Sequence, residues 1–290
     1  MKRRELIRNI LFSSSCLLFS NYSTLKLFGK SEDDIDIFKT IIRKALVEHW
    51  SDLSIGDLVI KIAVNFVGTP YISNTLEGDG DEICRVNLLG LDCVTFFETS
   101  LAFARIVKKK KYNFQDLISE ITFTRYRNGV LSDYTSRLHY TADWILNNEG
   151  KGVINDVCKL VDGEKLKFDV FFMSKFPEKY KQLKNNPHFV DVIAERENII
   201  NNKVFYYFPV NEIPKFEKYI ANGDIIAITT NIPGLDYSHT GLAYRNDKNE
   251  VRFLHASSVK KEVLLDISLY EYIKTKKKDT GISVLRPLEP

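Results

Sequence analysis

Residues 236–256 read Asp236-Tyr237-Ser238-His239-Thr240-Gly241-Leu242-Ala243-Tyr244-Arg245-Asn246-Asp247-Lys248-Asn249-Glu250-Val251-Arg252-Phe253-Leu254-His255-Ala256. Two β-prone runs flank a polar segment rich in Asn and Asp, which predicts an antiparallel hairpin with a five-residue loop. If Tyr244 pairs with Glu250, His239 lies directly opposite His255. Opposed side chains have Cβ atoms about 4.5–5.5 Å apart, so one imidazole can hydrogen-bond the other and fix its tautomer.

Such a pair would supply the base and the orienting group of a nucleophilic site. The alternative is two half-buried strand histidines, each bonded to a different neighbour. A one-residue slip of register would turn the two rings to opposite faces of the sheet. The hairpin alone leaves both interpretations open.

A cysteine far upstream favours the catalytic interpretation. Turn residues at Leu89-Gly90-Leu91 precede Asp92 and Cys93, and an apolar helical pattern then continues to the lysine run at 108–111. In the first turn of a helix, unpaired amides and the helix dipole favour a thiolate. Asp92 opposes this effect, either as the helix N-cap or as a group that receives a substrate amine. The alternative for Cys93 is a buried structural cysteine.

The amino terminus differs in composition from the rest of the chain. A basic run (Lys2, Arg3, Arg4 and Arg8) precedes an apolar stretch, which predicts a signal peptide over residues 1–22, with an amphipathic helix as the alternative. Lipid attachment at Cys16 is a further alternative. Without residues 1–22 the chain holds 37 basic and 37 acidic residues, so its net charge of +3 belongs to the leader and does not support nucleic-acid binding.

Three cysteines remain after such a leader, at positions 84, 93 and 158, with no C-x-x-C spacing. An odd number in a chain of this size argues against a disulfide framework. An unpaired cysteine in an exported chain is instead a candidate nucleophile.

The remaining pattern predicts helices first and strands later. Helices are expected at 33–50, 54–66 and from Cys93 onward, an insertion at 157–215, and strands at 204–208, 224–230 and 282–285. This order predicts an α+β domain over residues 23–290. Between 114 and 145, Arg, Tyr, His and Trp are concentrated, which is typical of a polar ligand cleft or of a solvated helix hairpin.

Three motifs together resemble a known family. Leu91-Asp92-Cys93 at a helix start, Ser238-His239-Thr240-Gly241 and Leu254-His255-Ala256-Ser257 resemble the NlpC/P60 cysteine peptidases, which have a papain-like core. More narrowly, the chain resembles the DUF1460 branch, described as N-acetylmuramoyl-L-alanine amidase-like. That closer resemblance rests on Gly68-Thr69-Pro70-Tyr71, Thr75-Leu76-Glu77, Asp92-Cys93-Val94-Thr95-Phe96, Ser136-Arg137-Leu138-His139-Tyr140 and Asp143-Trp144-Ile145.

The resemblance implies a cell-wall amidase that cleaves the bond between muramic acid and L-alanine in muropeptides, with a preference for 1,6-anhydro fragments. It implies Cys93 as nucleophile, His239 as base and His255 as the third polar residue, with no cofactor. The residues it implies for oxyanion stabilisation or substrate binding are Tyr71, Asp92, Ser238, Glu77, Arg137, His139 and Asp143. The leader pattern predicts export to the periplasm. The resemblance implies peptidoglycan fragments as partners, and no metal is expected.

Three rival functions remain. One is a γ-D-glutamyl-diamino acid endopeptidase, the commoner activity of the wider family. Another is a zinc site built from Cys93, His239, His255 and Cys84. The third is a wall-binding module without catalysis.

Overall fold

The computed structural model describes residues 31–290. The expected leader, residues 1–22, and the lipid-attachment alternative at Cys16 lie outside the described residues. Within 31–290, no helix is long and apolar enough to cross a membrane.

Helices fill most of the first two thirds of the described chain. The helices are α1 Glu32–Val47, α2 Ile55–Ala63, α3 Cys93–Lys108, α4 Phe114–Arg125, α5 Thr141–Gly150, α6 Val157–Leu160, α7 Phe172–Lys175, α8 Lys181–Asn185, α9 Pro187–Asn201, α10 Ile213–Phe216 and α11 Leu269–Lys274. The strands are β1 Ile154–Asp156, β2 Glu164–Leu166, β3 Phe205–Pro209, β4 Ile225–Thr230, β5 Tyr237–Arg245, β6 Val251–Ser257, β7 Glu262–Ser268 and β8 Asp279–Pro287.

The strands form an antiparallel sheet in the order β2-β3-β8-β4-β5-β6-β7, with β1 paired to β8. The fold is therefore mixed α/β with an antiparallel sheet, as the order of helices and strands predicted. The continuous apolar run Ile225-Ile226-Ala227-Ile228 of β4 is buried on both faces, which suits its central position between β5 and β8.

The predicted hairpin is present as β5 and β6, but the predicted register is wrong by two residues. Tyr244 pairs with Arg252 instead of Glu250, and the loop covers residues 246–250. His255 therefore lies beside Gly241, where an added Cβ would be 2.8 Å from the Cβ of His255. Because side chains alternate with a period of two, a two-residue shift keeps His239 and His255 on one face as diagonal neighbours.

Helix α3 is the central helix of the structure. Its buried residues lie around its whole circumference, because it packs against α2 and α4 as well as β5 and β6. Among them is Glu98, which accepts hydrogen bonds from Arg125 Nε (2.8 Å) and Trp144 Nε1 (3.1 Å). These bonds join α3 to α4 and α5, so the helix that begins at Cys93 is held firmly.

Most predicted elements are found with small shifts of their ends. The expected helix 33–50 is α1, and the expected helix 54–66 is α2 followed by a 3₁₀ turn at Val64–Phe66. The segment 157–215, predicted to be an insertion, contributes β2 and β3 to the sheet edge. No element was predicted over residues 262–276, where the structure has β7 and α11.

Candidate active site

Cys93 is the first residue of α3. Asp92 is the N-cap, and its Oδ1 accepts from the amides of Val94 (3.0 Å) and Thr95 (2.7 Å). The Thr95 hydroxyl accepts from the Asp92 amide at 2.8 Å, which completes a capping box. The cap fixes the direction of the first turn, and hence where the Cys93 side chain leaves the helix.

The thiol of Cys93 lies against strand β5. Burial, followed by the nearby Asp92 carboxylate, raises the pKa of Cys93 to about 11, while the neighbouring hydroxyl and backbone of Thr240 act in the opposite direction. Thr240 follows His239 in the strand. The sulfur is therefore a neutral thiol at pH 7, since desolvation outweighs the neighbouring polar groups that favour the thiolate.

His239 and His255 form the predicted imidazole pair. His239 Nε2 and His255 Nδ1 are 2.7 Å apart, and the ring planes are nearly perpendicular at 87°. His255 is fully buried and lies between β5 and β7, whereas His239 is partly exposed. The buried imidazole of His255 thus holds the partly exposed imidazole of His239 in place.

Asp266 on β7 extends this pair and was not predicted from the sequence. Its Oδ2 lies 3.3 Å from His255 Nε2, so both nitrogens of His255 have partners. The β6–β7 register shifts between Arg252 and Leu254, so that Asp266 and Ile267 together oppose Phe253 in a β-bulge. The signal in the sequence was an acidic residue in the β-prone run that follows His255.

Tyr272 on α11 is a second residue that was not predicted from the sequence. Its ring centroid lies 5.0 Å from that of His255 and 6.4 Å from that of His239. Burial, and then the charges of Asp266, Asp279 and Cys93, raise the pKa of its hydroxyl to about 12. Tyr272 is therefore a common neighbour of the thiol and both imidazoles, and it places them in one cluster.

Burial keeps both imidazoles of the pair neutral at pH 7. It lowers the pKa of His239 to about 3, with smaller contributions from His255 and Lys276. Burial also lowers the pKa of His255, although Asp266 acts against this. A neutral thiol and two neutral imidazoles are the resting state that these environments favour.

Tyr71 lies in an earlier segment of the chain that packs beside the start of α3, near the Cys93 thiol. It forms a parallel bridge with Leu91, and its amide donates to the carbonyl of Lys261 at 2.8 Å. Burial, then Cys93 and Asp92, raise the pKa of Tyr71 to about 12, so its hydroxyl keeps its proton at neutral pH. The residue predicted to stabilise an oxyanion is thus a hydrogen-bond donor near the sulfur.

A pocket of about 180 Å³ adjoins the amino end of α3. It brings together Asp92, Glu77, Arg137 and His139 from the predicted substrate-binding set. The other lining residues are Asn74, Leu76, Val94, Glu98, Arg125 and Leu138. The polar segment around residue 137 therefore contributes to a cleft wall.

Arg137 organises one side of this pocket. Its guanidinium donates to Glu77 Oε1 (2.6 Å) and to the Leu76 carbonyl (3.0 Å), and its Nε lies 3.7 Å from Glu82. The Arg137 side chain is 5% exposed and that of Glu77 is 41% exposed. The buried guanidinium of Arg137 thus holds the exposed carboxylate of Glu77 at the mouth of the pocket.

His139 has a fixed partner in the pocket wall. Its Nε2 is 2.7 Å from the Tyr134 carbonyl and therefore donates to it. Burial, and then Arg137, hold the pKa of His139 well below its usual value. The imidazole is neutral at pH 7, with Nε2 protonated.

The structure does not bring Asp143 or Ser238 to the pocket lining. Asp143 forms a two-pronged ion pair with Arg127, at 3.0 and 2.6 Å, which joins α5 to the residues that follow α4. Ser238 is exposed and donates to Asp279 Oδ1 at 2.8 Å. Each of these two side chains is bonded to another side chain of the protein and does not line the pocket.

The zinc alternative does not match the geometry of the described residues. Within 31–290, no group of three or more His, Cys, Asp and Glu side chains is arranged to hold a metal ion. Both nitrogens of His255 are already hydrogen-bonded. Cys84 is buried elsewhere, against the Ile118 carbonyl.

A mixed α/β fold with an antiparallel sheet places a helix-start cysteine, two histidines and a polar pocket together, and comparison with known proteins agrees on one class. The model of the AmiA-like family, described as N-acetylmuramoyl-L-alanine amidase-like, matches residues 61–282. No match was found among curated proteins. This chain belongs to the N-acetylmuramoyl-L-alanine amidase-like family, a family of amidase-like hydrolases.

Solved structures support this assignment. A Bacteroides uniformis N-acetylmuramoyl-L-alanine amidase is similar with a TM-score of 0.76 and 36% identity, over 80% of this chain and 98% of that one. A Bacteroides fragilis structure provisionally described as a xylanase is similar with a TM-score of 0.73 and 39% identity, over 78% and 99%. A Legionella pneumophila structure described by the DUF1460 family model shares the fold at 22% identity, with a TM-score of 0.67, over 89% and 95%.

Proposed function

We propose that this protein is a cysteine amidase that hydrolyses the bond between N-acetylmuramic acid and L-alanine in muropeptides, with a preference for 1,6-anhydro fragments. The observation that carries the proposal is the 2.7 Å contact between His239 and His255, together with the thiol at the start of α3, which neighbours Thr240 and the Tyr272 side chain that packs on both rings. The family assignment supports the amide bond as target, and the motifs around Cys93, His239 and His255 support a papain-like NlpC/P60 mechanism.

The first step transfers the proton of the Cys93 thiol to His239 while the sulfur attacks the lactyl carbonyl carbon. The Tyr71 hydroxyl and the Cys93 amide donate to the oxygen that becomes negative. A neutral starting pair suits this role, because charge then develops only as the reaction proceeds.

Collapse of the tetrahedral intermediate breaks the carbon–nitrogen bond. Protonated His239 donates its proton to the departing L-alanine nitrogen, which leaves the lactyl group on sulfur as a thioester. Water, deprotonated by His239, then attacks the thioester. The products are the free sugar acid and the intact peptide, and the thiol regains its proton.

The pocket beside Cys93 is assigned to the substrate. Asp92 and Glu77 present carboxylate oxygens to the pocket, and Arg137 and His139 fix the wall behind them. We assign no substrate contact to Asp143 or Ser238, because their partners are Arg127 and Asp279.

Glycoside hydrolysis is less compatible with this pocket. That reaction requires a carboxylic acid that donates a proton and a second carboxylate near it. Glu98 is bonded to Arg125 and Trp144, and Glu77 is bonded to Arg137. The third carboxylate of the pocket, Asp92, accepts two backbone amides as the N-cap of α3. All three are held as acceptors of hydrogen bonds, which disfavours the protonated acid that this reaction needs.

The deciding experiment is mass analysis of products from an anhydromuropeptide and its reducing-end counterpart. Free anhydro-N-acetylmuramic acid and an intact peptide are expected, whereas cleavage between D-glutamate and the diamino acid would show an endopeptidase. Cys93→Ala should abolish turnover and keep the fold, and turnover by that folded variant would contradict the proposal. Cys84→Ala is the matched control, since that thiol is buried away from the site.

We further propose that the protein is exported to the periplasm, since muropeptides arise there and residues 1–22 have the pattern of a signal peptide. Cell fractionation with amino-terminal sequencing of the mature chain tests this. A cytoplasmic protein that keeps residues 1–22 would contradict it.

A further inference from the structure

We infer that Asp266 is a positioning residue of this site, whose carboxylate sets the tautomers of His255 and His239 so that Nδ1 of His239 stays free to accept a proton. The inference rests on the proposed function, in which His239 is the base. It adds a fourth group, from a third strand, to the cysteine and the two histidines.

The contacts form a continuous line across three adjacent strands. Asp266 Oδ2 on β7 is 3.3 Å from His255 Nε2 on β6, and His255 Nδ1 is 2.7 Å from His239 Nε2 on β5. The side chain of His255 is fully buried, and that of Asp266 is 20% exposed. Water therefore has little access to His255, so its two nitrogens depend on these two partners.

The proton positions follow from the chemistry of a carboxylate. An ionised carboxylate can only accept, so Nε2 of His255 must carry its proton toward Asp266. A neutral imidazole has one donor and one acceptor, and Nδ1 of His255 must then accept. Nε2 of His239 supplies that hydrogen, which leaves Nδ1 of His239 bare.

The backbone of β7 directs the Asp266 side chain toward Nε2 of His255. The β-bulge formed by Asp266 and Ile267 opposite Phe253 gives the strand an extra residue beside His255. Asp266 Oδ1 also accepts from the Ile267 amide at 2.8 Å, which holds the carboxylate while Oδ2 reaches the ring. One oxygen is anchored to the backbone and the other orients His255.

The neighbouring ionisable groups cannot replace Asp266. Lys276 lies close enough to lower the pKa of both imidazoles, but a cation cannot accept a hydrogen bond. Asp279 is bonded to Ser238, and Tyr272 contacts His255 through its ring. In residues 31–290, the hydrogen-bonding carboxylate at His255 is that of Asp266.

The direct test is nitrogen NMR of the ¹⁵N-histidine-labelled protein, with the signals assigned by single His→Gln variants. In the unsubstituted protein, both His239 and His255 should carry hydrogen on Nε2 and none on Nδ1. This measurement needs no altered residue and no substrate. A proton on Nδ1 of His239 at pH 7 would overturn the inference.

The Asp266→Asn variant tests the consequence. An amide can donate to Nε2 of His255, which reverses the hydrogen-bond line and places a proton on Nδ1 of His239. We expect that change in the NMR signals, together with a fall in kcat of about 10²-fold, the lower end of what a positioned base contributes. KM should change little, since Asp266 lies away from the pocket lining.

Two further variants separate positioning from a structural role. Asp266→Glu keeps a carboxylate and should restore the tautomers and part of the activity. Glu262→Gln removes an exposed charge from the same strand and should leave both unchanged. Equal losses in the Glu and Asn variants with unchanged tautomers, or full activity in Asp266→Asn, would overturn the inference.

Failure of the proposed function gives a different result. If the muropeptide is not a substrate, the product analysis fails while the tautomers of His239 and His255 still depend on Asp266. If Asp266 has no positioning role, the tautomers do not change while Cys93-dependent cleavage persists.

Discussion

The ring of Tyr272 packs edge-on against the buried ring of His255, with centroids 5.0 Å apart and an angle of 66° between planes. The same ring is inclined by 29° to that of His239, with centroids 6.4 Å apart, and Lys276 Nζ lies 5.0 Å from the Tyr272 centroid. Tyr272 thus covers the imidazole pair on the side of α11.

Replacing Tyr272 with Ala should move the acid limb of the kcat/KM profile to higher pH. Burial is the main cause of the low pKa values of His239 and His255, so admitting water raises both toward the usual value of about 6.5. Tyr272→Phe keeps the ring and serves as control. An acid limb that stays in place for Tyr272→Ala would show that this ring does not desolvate the pair.

The Cys93 thiol should react slowly with iodoacetamide at pH 7, and the rate should rise with pH toward the pKa of about 11. The physical reason is that the thiolate is the nucleophile and burial disfavours it. The rate is followed by mass spectrometry, with Cys93→Ala identifying the labelled site. A fast rate that is constant between pH 6 and 9 would instead indicate a preformed thiolate–imidazolium pair.

Arg137→Ala should lower the free energy of unfolding by about 3 kcal/mol, because it removes the guanidinium that lies 3.7 Å from the Glu82 carboxylate, whose side chain is only 4% exposed. Glu77→Gln is the matched comparison on the other side of the same guanidinium. Glu77 is 41% exposed, so its change in stability should be within about 1 kcal/mol. Urea unfolding measures the free energy of unfolding of both variants. Equal losses in the two would contradict the argument that burial of the carboxylate decides the size of the effect.

Stability should fall as the pH drops below about 6.5, in part through His139. Its pKa is lowered well below that value in the folded protein, so the unfolded chain binds more protons in this range. Stability therefore rises with pH there, by up to about 1.4 kcal/mol per unit for one such group. Asp236 acts in the opposite direction, because its pKa is raised to about 6 by burial.

The contribution of His139 is measured as the difference between the protein and His139→Gln. Urea unfolding at pH 7 and pH 5 should show a smaller pH dependence for the variant, since Gln does not titrate. An identical pH dependence in the two proteins would mean that His139 does not bind its proton differently on unfolding.

The fold was predictable where the signal was local. The helix that starts at Cys93 was predicted from turn residues followed by an apolar pattern, and β4, β5, β6 and β8 from β-prone runs. The strand β7 and the helix α11 were not predicted. They carry Asp266 and Tyr272, and these are the site residues that the sequence analysis missed.

The substrate-binding set was predictable only in part. Arg137, His139 and Glu77 meet at the pocket, although Arg137 and Glu77 are 60 positions apart in the chain. Asp143 lies in the same polar segment, but its carboxylate is paired with Arg127. A local concentration of polar residues does not reveal which of them face a cavity and which face one another.

The sequence by itself determined that Cys93 begins a helix and that His239 and His255 share a face of one hairpin. The reason is that strand side chains alternate with a period of two. The predicted register was wrong by two residues, and such a shift leaves both histidines on the same face. Tertiary structure alone decided that Gly241 lies beside His255, that a bulge in β7 brings Asp266 to its Nε2, and that Tyr272 covers the pair. These contacts join segments whose pairing depends on long-range packing, which no local pattern in the chain specifies.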